Sequence, residues 1–492
     1  MKTIAIIGSG ISGLSAAAYL ASKGQDVLVF EKNEEIGGRM RQHKANGFTF
    51  DMGPSWYWMP DVFDSFFEKL GHKTSDFYEL KKLDPGFQII TTNNEIMKVP
   101  ACWEELLGLV ENIEAGAAER LKKFMAEAAY KYEVGIKKLV YKPGLSIWEL
   151  LTKETIKGVF RLQLFSSYSS HVRKYFSNKK IIALMEFPVL FLGAMPKDTP
   201  ALYSLMNYAG LYQGTFYPMG GFKKVIDAMR HAGAQRGVKF YVNEAIESVT
   251  QGPGPLINIK TSKRQLYADG IIASADYHHI EQKLLNQEDR NYSEDYWQKK
   301  TFAPSALLFY IGVKRKLPRL EHHNLFFDAD FDNHARAIYE KPEWPDQPLF
   351  YVCCPSKTDP EVAPPEMENL FILMPIAPDI EDNEEKRESY FVKLLTRLEK
   401  FTGVSVREHI VYKRSYCVED FKSDYNSYKG NAYGLANTLM QTANLKPKIK
   451  NKHIQNFFYT GQLTVPGPGV PPSIISGQVA AAELLKSLRI NI

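Results

Sequence analysis

The sequence predicts an α/β fold in three parts: a domain built on parallel βαβ units, a second domain based on a sheet, and a helical subdomain. Three observations predict it. An apolar, β-branched run at residues 3–7 leads into a glycine turn and a small-residue helix. Strand and helix patterns alternate from about residue 300 to 440. Between these regions lies a mostly helical stretch with a basic, aromatic-rich segment.

The N-terminal element carries the most information. Thr3–Ile7 reads as a buried strand, Gly8-Ser9-Gly10-Ile11-Ser12-Gly13 follows at once, and Leu14–Leu20 reads as a helix. This is a G-x-G-x-x-G motif in strand–turn–helix context, the Rossmann-like dinucleotide fingerprint. Gly8 makes the turn, Gly10 lets the backbone approach a pyrophosphate, and Gly13 lets the helix pack closely on the strand. Helix N–H groups and the helix dipole then hold phosphates. The next strand, Asp26–Phe30, ends at Glu31, eighteen residues after Gly13. Its carboxylate is placed to accept hydrogen bonds from an adenosine ribose.

Gly37-Gly38-Arg39 then brings backbone and a guanidinium toward an anion. A nicotinamide-only site has no need of this second glycine turn, whereas a flavoprotein uses it near the diphosphate and flavin. Gly47–Ser55 reads as a strand and turn, and Leu80–Val99 as a strand pair with turns at Asp84-Pro85-Gly86 and Asn93-Asn94. From Trp103 to about Phe187 the pattern is mostly helical. Ser146–Lys180 holds seven Lys or Arg against two acidic residues, interleaved with Trp148, Leu150, Leu151, Ile156, Val159, Phe160, Leu162, Leu164, Phe165 and Tyr168. Such a stretch is a candidate for contact with an anionic membrane surface; a solvated basic face is the plainer reading. Tyr217–Phe222 precedes a helix expected over Lys223–Gly237, and strands at Val238–Val242, Ala245–Gln251 and Ala268–Asp276 return to the first domain.

Farther on, strands are expected at Ser305–Val313, Leu349–Cys354 and Asn369–Pro375, then a helix at Glu384–Thr402. The tail is the second informative site. Phe457–Gly461 reads as a strand ending in glycine, followed by a rigid Gly/Pro loop to Pro472 and a small-residue helix from Ser473. Such a loop suits close contact with a flat ring, and the helix end can stabilise negative charge on a reduced flavin.

A net charge of +5 over 492 residues is small and comes with no nucleic-acid motif. The four cysteines form no CxxC pair, so no metal site is expected; Cys353-Cys354 reads as a buried pair in a strand. Few cysteines fit a reducing compartment. The short apolar N-terminal run is consumed by the fingerprint strand, and no window of about eighteen uncharged apolar residues spans a membrane.

Together these features resemble the phytoene desaturase family, the bacterial and fungal carotenoid desaturases within the flavin amine oxidase-like group. The resemblance rests on Gly8–Gly13, Glu31, Gly37-Gly38-Arg39, Phe50–Ser55, Leu190–Tyr203, Tyr217–Gly221 and the tail Tyr459–Pro471. The chain departs from the family at Val465–Gly469, where His-Pro-Gly-Ala-Gly is common, and in the aromatic Trp56-Tyr57-Trp58-Met59. The resemblance implies a discontinuous FAD-binding domain over 1–75, 215–285 and 445–492. It implies a substrate-binding domain over 76–100 and 286–444, and the helical, membrane-contacting subdomain over 101–214. Gly8, Gly10, Gly13, Glu31, Gly38 and Arg39 would hold the ADP half of FAD, with backbone near Val249 at the adenine. Gly461, Gly469 and Val470 would lie by the ribityl chain and flavin ring.

The implied reaction is hydride transfer to flavin from a C40 polyene, in steps from phytoene toward lycopene-type products, within a long apolar tunnel lined by clusters such as Trp56-Tyr57-Trp58 and Phe326-Phe327. His171, Arg173, Asp420 and Asp424 are the candidates for acid or base. The implied partners are a lipophilic carotenoid, a membrane surface, and oxygen or a quinone as electron acceptor. The implied location is cytoplasmic, on the inner face of the cell membrane. Alternatives are a 3,4-desaturase of hydroxylated carotenoids, a carotenoid isomerase, an amine or porphyrinogen oxidase, and a non-catalytic carotenoid- and FAD-binding protein.

Overall fold

Five short parallel strands stand side by side in the order Phe457–Tyr459, Gly270–Ala273, Thr3–Ile7, Asp26–Phe30 and Lys239–Tyr241. Their register is level: Ile7 pairs with both Phe30 and Ala273, Ala273 with Tyr459, and Phe30 with Tyr241. Each chain therefore leaves the sheet along one carboxyl edge, where open α/β sheets bind ligands. The segments that meet there come from both ends of the sequence. The computed structural model describes residues 1–146, 149, 162–163, 166–190, 193–438 and 440–490.

Helix Ile11–Ser22 packs on this sheet, and the C-terminal helix Val470–Ser487 crosses it at very close range. A Cβ on Gly477 would collide with the Ser12 carbonyl oxygen and lie 2.9 Å from Ser15 Cβ. The Ser15 hydroxyl donates across the gap to the Ile474 carbonyl at 2.7 Å. Small residues on both helices permit this approach. The expected helix at Lys223–Gly237 is observed over Lys223–Ala234.

The second domain is built on a seven-stranded mixed sheet. Its order is Ile410–Tyr416, Ser305–Val313, Glu368–Ile376, Phe350–Cys353, His323–Phe327, Phe87–Thr91 and Ile96–Val99. Ser305–Val313 is buried along its whole length, which explains its unbroken apolar sequence. Leu307, Phe309 and Ile311 pack with Phe391, Leu394 and Leu398 of helix Glu384–Thr402. Ala306 and Leu308 face the other way, toward a large cavity. Phe326 stacks on Phe350 at 4.2 Å in the helix-side core, so the Phe326-Phe327 pair does not line that cavity.

The longer described helices of the 101–214 region include Trp103–Ile113, Ala117–Val134 and Lys179–Leu190, with the short Tyr168–Arg173 between the last two. Among the described residues no helix is long and apolar enough to cross a membrane. Trp148, Leu150, Leu151, Ile156, Val159, Phe160, Leu164 and Phe165 of the basic stretch lie outside the described residues, as do Phe191 and Leu192.

Candidate active site: a dinucleotide cradle opening on an apolar chamber

One cavity of about 1010 Å³ runs from the carboxyl edge of the parallel sheet to the face of the seven-stranded sheet. Its first half is the cradle. Gly8 takes a φ of +90°, and Gly10 begins helix Ile11–Ser22 with nothing within 4 Å of where a Cβ would stand. Gly38, also at positive φ, passes so near that its Cβ would lie 3.2 Å from the Gly10 Cα. Gly13 is not on the cavity wall. It lies beneath it, where a Cβ would strike the Gly8 carbonyl.

Glu31 is only 6% exposed and lines the cavity. One of its carboxylate oxygens accepts from the Ser9 N–H at 3.0 Å and the Ser9 hydroxyl at 2.6 Å; the other accepts from the Asn33 N–H at 2.9 Å. The carboxylate thus braces the glycine turn and keeps one further acceptor position for a ligand.

Arg39 also lines the cavity. Its Nη2 donates to the Ser427 hydroxyl and the Asn431 carbonyl at 3.3 Å, its guanidinium lies 4.9 Å from the Tyr425 ring centroid, and its Nε has no partner. Burial lowers its pKa below the ordinary guanidinium value, and it has no carboxylate in salt-bridge contact among the described residues. A cavity-lining cation whose buried Nε is a vacant donor is a seat for an anion.

The far end of the cradle is the tail loop. Gly461, Gly469 and Val470 line the cavity, and Gly469 with φ +116° precedes helix Val470–Ser487. The Ser476 hydroxyl sits beneath this loop, accepting from the Gly461 N–H at 3.0 Å and lying 2.9 Å from Thr460 Oγ1. Two helix N-termini, at Ile11 and Val470, meet the cavity with no acidic residue in either first turn. Both positive ends remain available to negative charge.

Four sequence expectations are corrected by position. Val249 is fully buried in strand Ile246–Gln251; Ala245, Ile246 and Glu247 form the cavity wall instead, because the chain enters the strand at the sheet's carboxyl edge. His171 is packed against Phe124 and lies 3.4 Å from Lys131 Nζ, and Arg173 pairs with Glu186; neither reaches the cavity. Asp420 pairs with Arg387 at 2.8 Å and accepts from the Cys417 N–H, also away from it. Asp424 does line the cavity, but Arg41 holds it at 2.6 Å and its backbone carbonyl accepts from Asn33, which places it at the Glu31 end.

The second half of the cavity is the chamber. Its wall includes Trp56, Trp58, Met59, Met206, Ala306, Leu308, Phe371 and Leu373. Tyr57, between the two tryptophans, points away and stacks on Phe63 at 4.1 Å. Gly53 carries the chain from cradle to chamber: its Cβ would lie 2.5 Å from the Arg39 carbonyl oxygen. Chamber residues from these four separate segments were not legible as a set in sequence. The only advance signal was the Asp51–Ser55 turn and the aromatic run after it.

Behind the tail loop lies a further surprise. Lys446 is 2% exposed and its Nζ has no partner, and the nearby Asn437 Oδ1 has none either. Each lies 3.4 Å from where a Gly467 Cβ would stand. Burial pushes the Lys446 pKa down to about 7. The unfolded chain then binds a proton that the folded one does not, so this group's stabilising contribution is present above 10.5 and is lost as pH falls through about 7. Lys446→Met is expected to raise the melting temperature at neutral pH and to flatten its rise with pH. A variant melting curve parallel to wild type across that range would contradict this.

Residues 11–485 match the flavin containing amine oxidoreductase family. The chain belongs to this family. Its relatives place it with the carotenoid desaturases. The carotenoid 3,4-desaturase of Haloarcula japonica is 39% identical over 489 residues, covering 99% of both chains. The 4,4'-diapophytoene desaturase (4,4'-diaponeurosporene-forming) of Staphylococcus haemolyticus is 30% identical, again over 99% of both chains. The zeta-carotene-forming phytoene desaturase of Myxococcus xanthus is 28% identical, over 98% of this chain and 94% of the relative. Cyclohexylamine oxidase from Brevibacterium oxydans shares the fold, with a TM-score of 0.63 at 16% identity and 99% coverage of both chains. This oxidoreductase of the flavin amine oxidase fold is FAD-dependent. The cradle fits that cofactor: the unpartnered Arg39 Nε, the open approach at Gly10 and the two unneutralised helix ends all suit a diphosphate and an electron-rich ring.

Proposed function

We propose that the protein desaturates a carotenoid. The observation that carries this reading is the chamber: an apolar space continuous with the cofactor cradle, walled by tryptophan, methionine and sheet side chains, with no charged residue among its described walls. A polyene has no polar handle, so shape and apolar contact must hold it. An amine substrate would lack a counter-ion there.

In this reading Gly8, Gly10, Gly38 and Arg39 hold the diphosphate, Glu31 the ribose, Ala245–Glu247 the adenine side, and Gly461, Gly469 and Val470 the flavin edge. The bound FAD supplies the hydride acceptor. The protein's own residues align the chain beside it and exclude water, which removes much of the entropic barrier. The greater identity to the 3,4-desaturase than to the phytoene desaturase, 39% against 28%, favours a terminal 3,4 double bond on an already conjugated carotenoid. Conversion of phytoene toward lycopene is the second reading, supported by the diapophytoene and phytoene desaturase relatives. Substrates of this kind dissolve in bilayers, and the basic Ser146–Lys180 segment supports peripheral membrane contact, with oxygen or a quinone as acceptor.

The test is product chromatography after incubating the FAD-loaded protein with lycopene or phytoene in anionic liposomes. Loss of hydrogen pairs from lycopene, with protein cosedimenting with the vesicles, is the expected result. Reaction with phytoene alone would select the second reading, and reaction with neither would reject desaturation of both substrates.

A further inference from the structure

Among the described walls of the chamber, Tyr351 and Ser55 form a polar pair that the cofactor does not account for. Tyr351 projects into it from strand Phe350–Cys353, and Ser55 faces it from the turn after Gly53. The Tyr351 hydroxyl lies 3.0 Å from Ser55 Oγ and 2.6 Å from His323 Nδ1. Strand pairing sets this up: His323 stands opposite Cys353, two residues along from Tyr351, so all three side chains leave the same face of the sheet. The His323 ring is fully buried and stacks flat on cavity-lining Trp56, with centroids 4.1 Å apart and 10° between planes. Its Nε2 has no hydrogen-bond partner, and His322 packs against it with centroids 4.5 Å apart.

Removing a hydride from a saturated C–C unit leaves a cation, and a neighbouring C–H must then lose a proton. The charged cavity residues all belong to the cradle end, from Glu31 to Asp424, so none stands beside the chamber to receive it. We propose that Ser55 and Tyr351 take up this proton and relay it to His323, making the Ser55–Tyr351–His323 chain the proton exit of the desaturation. The inference rests on the carotenoid reading above.

One C–H bond breaks with its electron pair passing to the bound flavin. The adjacent C–H breaks with its electrons forming the new C=C, and its proton goes to the Ser55 hydroxyl. The Ser55 proton moves to Tyr351, and the Tyr351 proton to His323 Nδ1, giving an imidazolium. When an oxygen or quinone acceptor reoxidises the cofactor it takes up that proton, and His323 is neutral again. A hydroxyl has one proton: at rest Tyr351 donates it to Ser55 Oγ and accepts from His323 Nδ1–H, and the relay requires both hydroxyls to turn, and the imidazole to hold its proton on Nε2, so that Ser55 donates to Tyr351 and Tyr351 to Nδ1. Burial holds the His323 pKa well below 6.5 and that of Tyr351 well above 10. The imidazole therefore begins neutral and the phenol never has to ionise. A proton beside a carbocation is acidic enough for so weak a base.

Tyr351→Phe, His323→Gln and the double variant test the relay, with whichever of lycopene or phytoene the wild-type protein desaturates in liposomes. Tyr351→Phe is expected to keep its FAD content, melting temperature and KM while kcat falls about 10²-fold. In an anaerobic single turnover its flavin absorbance should still bleach at the wild-type rate while product appears late, a separation that a purely structural role would not produce. The double variant should be no slower than the slower single variant, since the residues act as one unit. Wild-type kcat in Tyr351→Phe, or bleaching and product slowing together, would overturn the relay. A wild-type protein inert toward both carotenoids would reject both substrate readings first, and the relay argued from them.

Discussion

Replacing Gly477 by Ala is expected to lower stability by about 1–3 kcal/mol, and Gly477→Leu to leave little folded protein. The reason is where the extra carbon must go. It would strike the Ser12 carbonyl oxygen and lie 2.9 Å from Ser15 Cβ and 3.0 Å from the Ala16 nitrogen. These contacts include backbone of the fingerprint helix, and that helix cannot retreat. Gly13 already brings its other side against the Gly8 carbonyl, with Ser274 Cβ 3.1 Å from where its own Cβ would be. Separating the two helices would also break the Ser15–Ile474 bond and disturb Ser476, which holds the Gly461 loop. Cofactor retention should therefore fall together with stability. Thermal melts of the apo- and holoproteins check this; an unshifted melt for Gly477→Ala would show that the helix pair is more compliant than its contacts indicate.

Glu31→Ala is expected to weaken FAD binding by about 10- to 100-fold, the effect of losing charge-assisted hydrogen bonds of about 1.5–3 kcal/mol. The turnover of molecules that still hold FAD should change far less. Glu31 acts twice. Its carboxylate fixes Ser9 in the glycine turn through the Ser9 N–H and hydroxyl, and its remaining acceptor position faces the cavity. Gel filtration followed by the flavin absorbance reports occupancy. Full occupancy in Glu31→Ala would remove Glu31 from the binding site, whereas loss of turnover at full occupancy would assign it to the chemistry.

The cradle was legible because its parts are local. Gly8, Gly10, Gly13 and Glu31 lie within one βαβ unit, and the backbone geometry that a phosphate requires is written into glycine spacing. Helix Glu384–Thr402 was legible for a similar reason, since its pattern lies within one stretch of chain. The acid–base candidates were not. His171, Arg173 and Asp420 each looked free in sequence, yet each is consumed by a partner far along the chain or packed in the helical region. Val249 missed for a smaller reason: the strand was read correctly, but the cavity meets its entry rather than its middle.

Ser55, Tyr351 and His323 show the limit most clearly. They are separated by 296 residues between Ser55 and Tyr351 and 28 between His323 and Tyr351, and no spacing rule joins them. Sheet register brings Tyr351 and His323 to one face, and the turn after Gly53 sets Ser55 beside them. The amino-acid sequence by itself determined a glycine turn at a helix N-terminus with an acid at the end of the next strand, because those features depend on residues close in the chain. Only the tertiary structure decided which buried polar groups face the chamber, which candidates are spent on ion pairs, and that Lys446 stands unpaired behind the tail loop. Those properties belong to pairs of distant residues, and a buried polar group is defined by the partner that packing brings or withholds.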